Sequence, residues 1–190
     1  MKKVILGATG SIGSSLAKKI VEGGDQAHLV GREEVGLSNL ASELNSSFTT
    51  CDVLEENFSE KILSDLKEEP IDGLAFCIGS IELKPLKLTK KSDFMQSFNL
   101  NLISATEVIR SLADNLKKNK GSIVLFSTVA VKQGFPNHAI VSSAKGAIEG
   151  LTLALAAEFA PNIRVNCIAP SISKSKIANF ILKNEKMADS

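Results

Sequence analysis

The stretch KKVILGATGSIGSSLAKKIVEGG (residues 2–24) decides the fold. Val4 to Leu6 read as a short strand that stops at Gly7. Ile12, Leu16 and Ile20 then recur every fourth residue, the spacing of one helix face, and Gly23-Gly24 end that helix. Gly7, Gly10 and Gly13 lie between strand and helix. Glycines there let the backbone turn tightly and let an anion approach. The free N–H groups at the helix start then point at it, with the helix dipole in favour. On this reading Gly7, Gly10, Ile12 and Gly13 hold a nucleotide pyrophosphate; the plain alternative is a strand-to-helix turn without a ligand.

The alternation continues along the chain. Apolar, β-rich runs stand at QAHLVG (26–31), SFTTCDV (47–53), DGLAFCIG (72–79), SIVLFST (122–128) and IRVNCIAP (163–170), and each but the last is followed by helical periodicity or composition. The spacing of Phe94, Phe98, Leu102, Ala105, Ile109, Leu112 and Leu116 predicts a long helix over 92–118. Val141, Ala144, Ile148, Leu151 and Leu155 predict another over 139–159. Leu100, Ile103 and Val108 lie off the main stripe of the first, as deep burial or a subunit interface would require; the interface is the preferred reading, making a homo-oligomer through these two helices. Strands alternating with helices imply βαβ units. Right-handed crossovers then favour an α/β fold: a doubly wound parallel sheet, Rossmann-like, with helices on both faces. One domain is expected over 1–190, with no linker, repeat or low-complexity segment.

Composition excludes several classes. The 190 residues are 44% hydrophobic and 23% charged, with a net charge of +1, which builds no field for nucleic acid or a membrane surface. Cys51, Cys77 and Cys167 are far apart and odd in number, so neither a disulfide framework nor a metal site is expected. No apolar run approaches the 18 residues of a membrane span, and the start shows no signal segment. A cytoplasmic location is the expectation.

The second strand bears on the ligand. An NAD-type site wants an acidic residue at the strand end for the ribose 2′-hydroxyl, and neither Val30 nor Gly31 is one. Arg32 can instead face a 2′-phosphate through a charge-assisted bond. That favours NADP(H) over NAD(H); the bland alternative is a surface arginine. Further along, Lys145 stands among small and apolar residues, with no acidic neighbour at helical spacing before Glu149. The chain contains no tyrosine.

Together these pieces resemble the short-chain dehydrogenase/reductase family over nearly the whole chain. The glycine spacing is that of the family's extended branch, with Ser11 where the single-domain branch usually has glycine. By this resemblance Asp52-Val53 meet the adenine, Gly79 is what remains of an Asn-Asn-Ala-Gly segment, and Asn101 is the family's helix asparagine, which distorts the helix. Thr128 takes the place of the catalytic serine. Pro170 is retained, Ser171 replaces a glycine, and Ser175 falls near the position that touches the cofactor carboxamide. Lys145 is the family lysine, which hydrogen-bonds the nicotinamide ribose and lowers the pKa of a tyrosine four residues earlier.

That position is Val141, and the count from Thr128 agrees. The loss of a general acid removes about 10²–10⁴-fold in rate, or about 3–5.5 kcal/mol of barrier. Cofactor positioning is a separate contribution. Thr128, Ser142 and His138 are the nearby substitutes; Ser142 should point about 100° away from Val141 around the helix, and His138 is expected in an exposed GFPNH loop. The plain reading of Lys145 is a lysine reaching from a helix face to water; that of Asn101 is an exposed helix asparagine.

The resemblance implies further substrate-loop helices and a seventh strand after Pro170, whereas the chain given stops at FILKNEKMADS. The C-terminal part of the family fold, the last strand and part of a substrate lid, is therefore expected to be missing, and IANFILKNEKMA (177–188) reads as an amphipathic helix. The expected function is an NADP(H)-dependent oxidoreductase acting on a small carbonyl or alcohol, with Asn101, Thr128 and Lys145 as the catalytic set. Its rival is a non-catalytic dinucleotide-binding sensor or assembly subunit, and a third reading is a domain that binds no nucleotide.

Overall fold

The computed structural model describes residues 1–67 and 69–171. Ser175 and the helix expected over 177–188 lie outside the described residues. Six strands form one parallel sheet: β1 (Lys2–Leu6), β2 (Gln26–Gly31), β3 (Ser47–Thr50), β4 (Gly73–Phe76), β5 (Ser122–Phe126) and β6 (Arg164–Ile168). Their order is β3-β2-β1-β4-β5-β6, so the chain runs outward one way from β1, then returns to its other side and runs outward again. The doubly wound fold expected from the alternation is the one formed.

The strands alternate their side chains between two cores. Val4 and Leu6 join one cluster with Leu74, Phe76, Ile123 and Leu125. Helices α3 (Phe58–Asp65), α5 (Ser104–Lys118) and α7 (Ala139–Phe159) cover that side. Ile5 and Leu29 face the other way, against α1 (Ser11–Glu22) and α2 (Glu34–Leu44). A central parallel strand is buried on both faces, so its sequence is apolar without a break. Among the described residues no helix crosses β5 and β6 on the α1 side. There Val124 and Phe126 are half-buried and Ile168 is exposed.

The long helix expected over 92–118 is not continuous. It comprises α4 (Lys91–Phe98), a π-helical turn (Asn99–Ile103) and α5. The cause is legible at Asn101, whose side-chain amide donates to the Ser97 carbonyl at 2.8 Å. That carbonyl is the one a regular helix gives to the backbone N–H of residue 101, so the side chain competes with the ladder and the turn widens. Of the three off-stripe residues, Val108 is fully buried in the core, Leu100 packs partly against it, and Ile103 remains exposed.

Helix α7 is long and apolar enough to cross a membrane by length and composition, which corrects the expectation that no stretch approaches a membrane span. Its Ile140, Val141, Ala144 and Ile148 are buried, while Leu153 on the opposite face is 75% exposed. A short helix, α6 (Ala130–Gln133), joins β5 to the loop before α7.

Candidate active site

In an open α/β sheet, ligands bind beyond the carboxyl ends of the strands, where the order reverses. Here that point lies between β1 and β4. Gly7 closes β1 with φ +74°, and a β-carbon on it would meet the Cys77 backbone at 3.1 Å. Gly10 donates its N–H to the Gly7 carbonyl at 3.0 Å and caps α1. A β-carbon at Gly13 would lie 2.2 Å from that same carbonyl, so only glycine fits. Thr9, Gly10, Ser11 and Ile12 are exposed, and the first turn of α1 carries no acidic residue. The free amides there form a cradle for an anion.

Arg32 follows β2 directly and is exposed. Glu33, which could have competed with it for a ligand, turns back instead: its carboxylate accepts the Gly36 N–H at 3.0 Å and caps α2. Asp52 and Val53 follow β3. The Asp52 carboxylate accepts from the Leu54 N–H at 3.0 Å, which fixes its orientation, and Val53 is buried. The Cys51 N–H bonds to the Gly31 carbonyl, which holds this segment beside the end of β2.

The reactive end lies on the other side of β1. Gly79 follows β4, and a β-carbon built on it would sit 3.0 Å from Lys145 Nζ and 3.2 Å from Asn101 Oδ1. Lys145 is 8% exposed, and among the described residues its ammonium has no hydrogen bond or ion pair. Burial pulls its pKa down to about 8. Asn101 is fully buried, and its Oδ1 has no partner. The bland reading of Asn101 fails, because the residue is fully buried; Lys145 is not a surface lysine either, since only 8% of it is exposed. Buried polar groups are normally satisfied, so the orphaned Asn101 Oδ1, beside an ammonium with no partner among the described residues, fits a missing polar ligand. Gly13, the cradle amides and this pair fit a dinucleotide reaching from the glycine turn to Lys145.

Thr128 follows β5. Its hydroxyl oxygen accepts the Ala130 N–H at 3.3 Å, leaving its proton free to donate. Val141 lies one turn before Lys145 on α7 and is buried. Ser142 donates to the Ala130 carbonyl at 3.3 Å and faces away. His138 caps α7 from outside the helix, with its ring on the Pro136 carbonyl at 2.8 Å and its face 5.3 Å from Phe135.

The sequence reading missed a supporting contact. Ser127 donates to the Glu149 carboxylate at 2.6 Å and approaches the Lys145 carbonyl at 3.4 Å. It ties the end of β5, which carries Thr128, to the turn of α7 that carries Lys145. The available signal was Glu149, one helical turn beyond an unexplained lysine.

A six-stranded parallel sheet of this order, with a glycine cradle at its switch point, defines a Rossmann-like domain. The family model described as enoyl-(acyl carrier protein) reductase matches residues 7–190. The chain is 32% identical to 3-hydroxyacyl-CoA dehydrogenase type-2 of Rattus norvegicus, covering 94% of this chain and 78% of that protein. It is 29% identical to a tropinone reductase homolog of Arabidopsis thaliana, covering 98% of this chain but only 61% of the relative's length. A short chain dehydrogenase of Shigella flexneri, solved with NADP, superposes with a TM-score of 0.90 at 23% identity, covering 99% and 84% of the two chains. The chain belongs to the short-chain dehydrogenase/reductase family.

Proposed function

We propose that this chain is an NADP(H)-dependent oxidoreductase acting on a small carbonyl or alcohol, with an active site that lacks the tyrosine. The observation that carries this reading is the convergence of Lys145 and the orphaned Asn101 Oδ1 over Gly79, two residues past the Cys77 backbone against which Gly7 packs. The amides around Gly10, Ser11, Ile12 and Gly13 hold the pyrophosphate. Arg32 holds the 2′-phosphate, Asp52 and Val53 border the adenine, and Lys145 holds the ribose hydroxyls. When bound, the nicotinamide supplies or accepts a hydride. Thr128 points a hydroxyl at the carbonyl oxygen, and Asn101 presents its unpaired Oδ1 beside Lys145.

Residues 1–190 act as one domain on this reading, located in the cytoplasm. The outer face of α7, with Leu153 at its centre, and the exposed Ile103 side of α4 and α5 pair two copies. The second reading, a non-catalytic dinucleotide sensor or assembly subunit, draws on Val141, an apolar side chain where the family's acid stands.

Calorimetric titration with NADPH and with NADH tests the proposal. Micromolar NADPH affinity with NADH at least tenfold weaker supports it. Binding of neither sinks it.

A further inference from the structure

The tyrosine's position holds a valine, yet the site around it is intact, which poses the question of the proton. Among the nearby groups Ser142 spends its hydroxyl on Ala130, and His138 lies outside the helix against Pro136. Thr128 has a free proton but a hydroxyl far too weak as an acid. Lys145 differs: the residue is 8% exposed, its ammonium has no hydrogen bond or ion pair among the described residues, and it faces the same space as the orphaned Asn101 Oδ1. Val141 is one turn away on the same helix, and its side chain has no group that can give or take a proton.

We propose that Lys145 is itself the acid and base of this site, giving and taking the proton that a tyrosine handles elsewhere in the family. This rests on the oxidoreductase reading above. In the reductive direction the carbonyl carbon gains a hydride from the reduced nicotinamide, the C=O π bond breaks, and the oxygen takes a proton from Lys145 Nζ. The neutral amine left behind regains its proton from water. In the oxidative direction the neutral amine takes the alcohol's hydroxyl proton as the hydride leaves carbon for the oxidised nicotinamide.

The surroundings suit this role. Among the described residues, Cys77, beyond β4, and Cys167, on β6, are the titratable groups on other elements that face Lys145; burial raises both thiols, Cys77 to about 12, so neither is a counter-ion. Glu149, on α7 itself, is turned to Ser127. The π turn presents only the uncharged Asn101. With its pKa near 8, Lys145 is about nine-tenths protonated at pH 7 and still readily gives its proton up, the condition for an efficient acid.

The test has two readouts. The first needs no turnover: lysines of the free chain are dimethylated with ¹³C-formaldehyde and followed by NMR against pH, with the Lys145 signal assigned by its loss in K145R. A transition near pH 8 supports the proposal; one near 10.4, with the surface lysines, overturns it. The second is reduction of 2,3-butanedione by NADPH, with V141Y as the variant in which a phenol is restored. The rate in the wild type is expected to fall tenfold per pH unit above about 8. K145R is expected to weaken NADPH binding by about tenfold, as it displaces the ribose contact, but to lose about 10²–10⁴-fold in kcat at saturating NADPH. Wild-type turnover with a flat profile, K145R turnover equal to wild type, or turnover by V141Y alone overturns the proposal. Failure of the wild type to bind NADPH overturns the oxidoreductase reading, and this proposal with it; NADPH binding with any of the other adverse results overturns the proposal alone.

Discussion

Lys145 and Asn101 meet over Gly79, 3.0 Å and 3.2 Å from the point where a β-carbon on that glycine would lie. The lysine end is flexible and can retreat, whereas Asn101 is held by the Ser97 carbonyl. G79A should therefore cost little stability, about 1 kcal/mol or less, while displacing the ammonium from its position. NADPH affinity is expected to weaken about tenfold with Tm nearly unchanged, read by calorimetry and thermal unfolding.

Gly13 is the opposite case. Its missing side chain would strike a backbone carbonyl at 2.2 Å, with no flexible group to yield. G13A should destabilise the fold by about 2–4 kcal/mol and abolish cofactor binding. Urea unfolding measures the first and calorimetry the second. A variant of wild-type stability would show that the β1–α1 turn can relax.

Arg32 is exposed, and its assigned partner is a phosphate on one cofactor only. R32A should weaken NADPH binding by about 10–100-fold, the worth of one charge-assisted contact, and leave NADH affinity unchanged. Equal losses for both cofactors would place the arginine elsewhere on the ligand.

His28 is buried between β2 and β3. Thr49 donates to Asp65 at 2.6 Å, so its oxygen accepts from His28 Nε2 at 2.9 Å, and Nδ1 is left to accept from Ser47 at 2.8 Å. The imidazole is thus satisfied when neutral. Burial first, and then Lys2, push its pKa down to about 4, against the opposing pull of Asp65 and Glu69. Because the unfolded chain takes up this proton near pH 6.5 and the folded chain only near 4, this stability is complete above pH 6.5 and is lost as pH falls toward 4. The stability difference between wild type and H28Q should shrink by about 2–3 kcal/mol between pH 7 and 4.5, measured by urea unfolding. A difference that does not change with pH would exclude His28 as the source.

Leu153 stands 75% exposed on the outer face of α7. If two copies pair there, L153E should shift the sedimenting species toward the monomer without lowering monomer stability by more than about 0.5 kcal/mol. An unchanged sedimentation coefficient would move the interface to another face.

Much of this was legible beforehand, for definable reasons. The sheet follows from apolar runs such as VIL and GLAF, because strands buried on both faces leave no room for polar residues. The glycine turn was legible because a β-carbon is forbidden at Gly13 and a positive φ is required at Gly7. The π turn was implied only by resemblance. Periodicity alone gave one helix over 92–118, since the apolar steps of three and four run from Phe98 through Leu102 to Ala105 without a break in the sequence. Burial of Lys145 was not legible either, because it depends on what β4 and the π turn place over the helix. Nor was the Ser127–Glu149 bond, which joins residues 22 apart in sequence. His28 reads as an ordinary strand residue until β3 supplies its two hydroxyls.

The widened turn at Asn99–Ile103 has a meaning for length as well as chemistry. It spends one residue more than a regular turn, so α4 and α5 are set about 100° out of phase with an unbroken helix. A deletion of one codon there would mend the spiral and rotate everything on one side of the cut, taking Asn101 out of reach of Lys145 while changing no other letter of the site. The family's chemistry at this position is therefore guarded by a count. Sequence comparisons that tolerate a one-residue gap in this helix would pass over the kind of change that silences the protein.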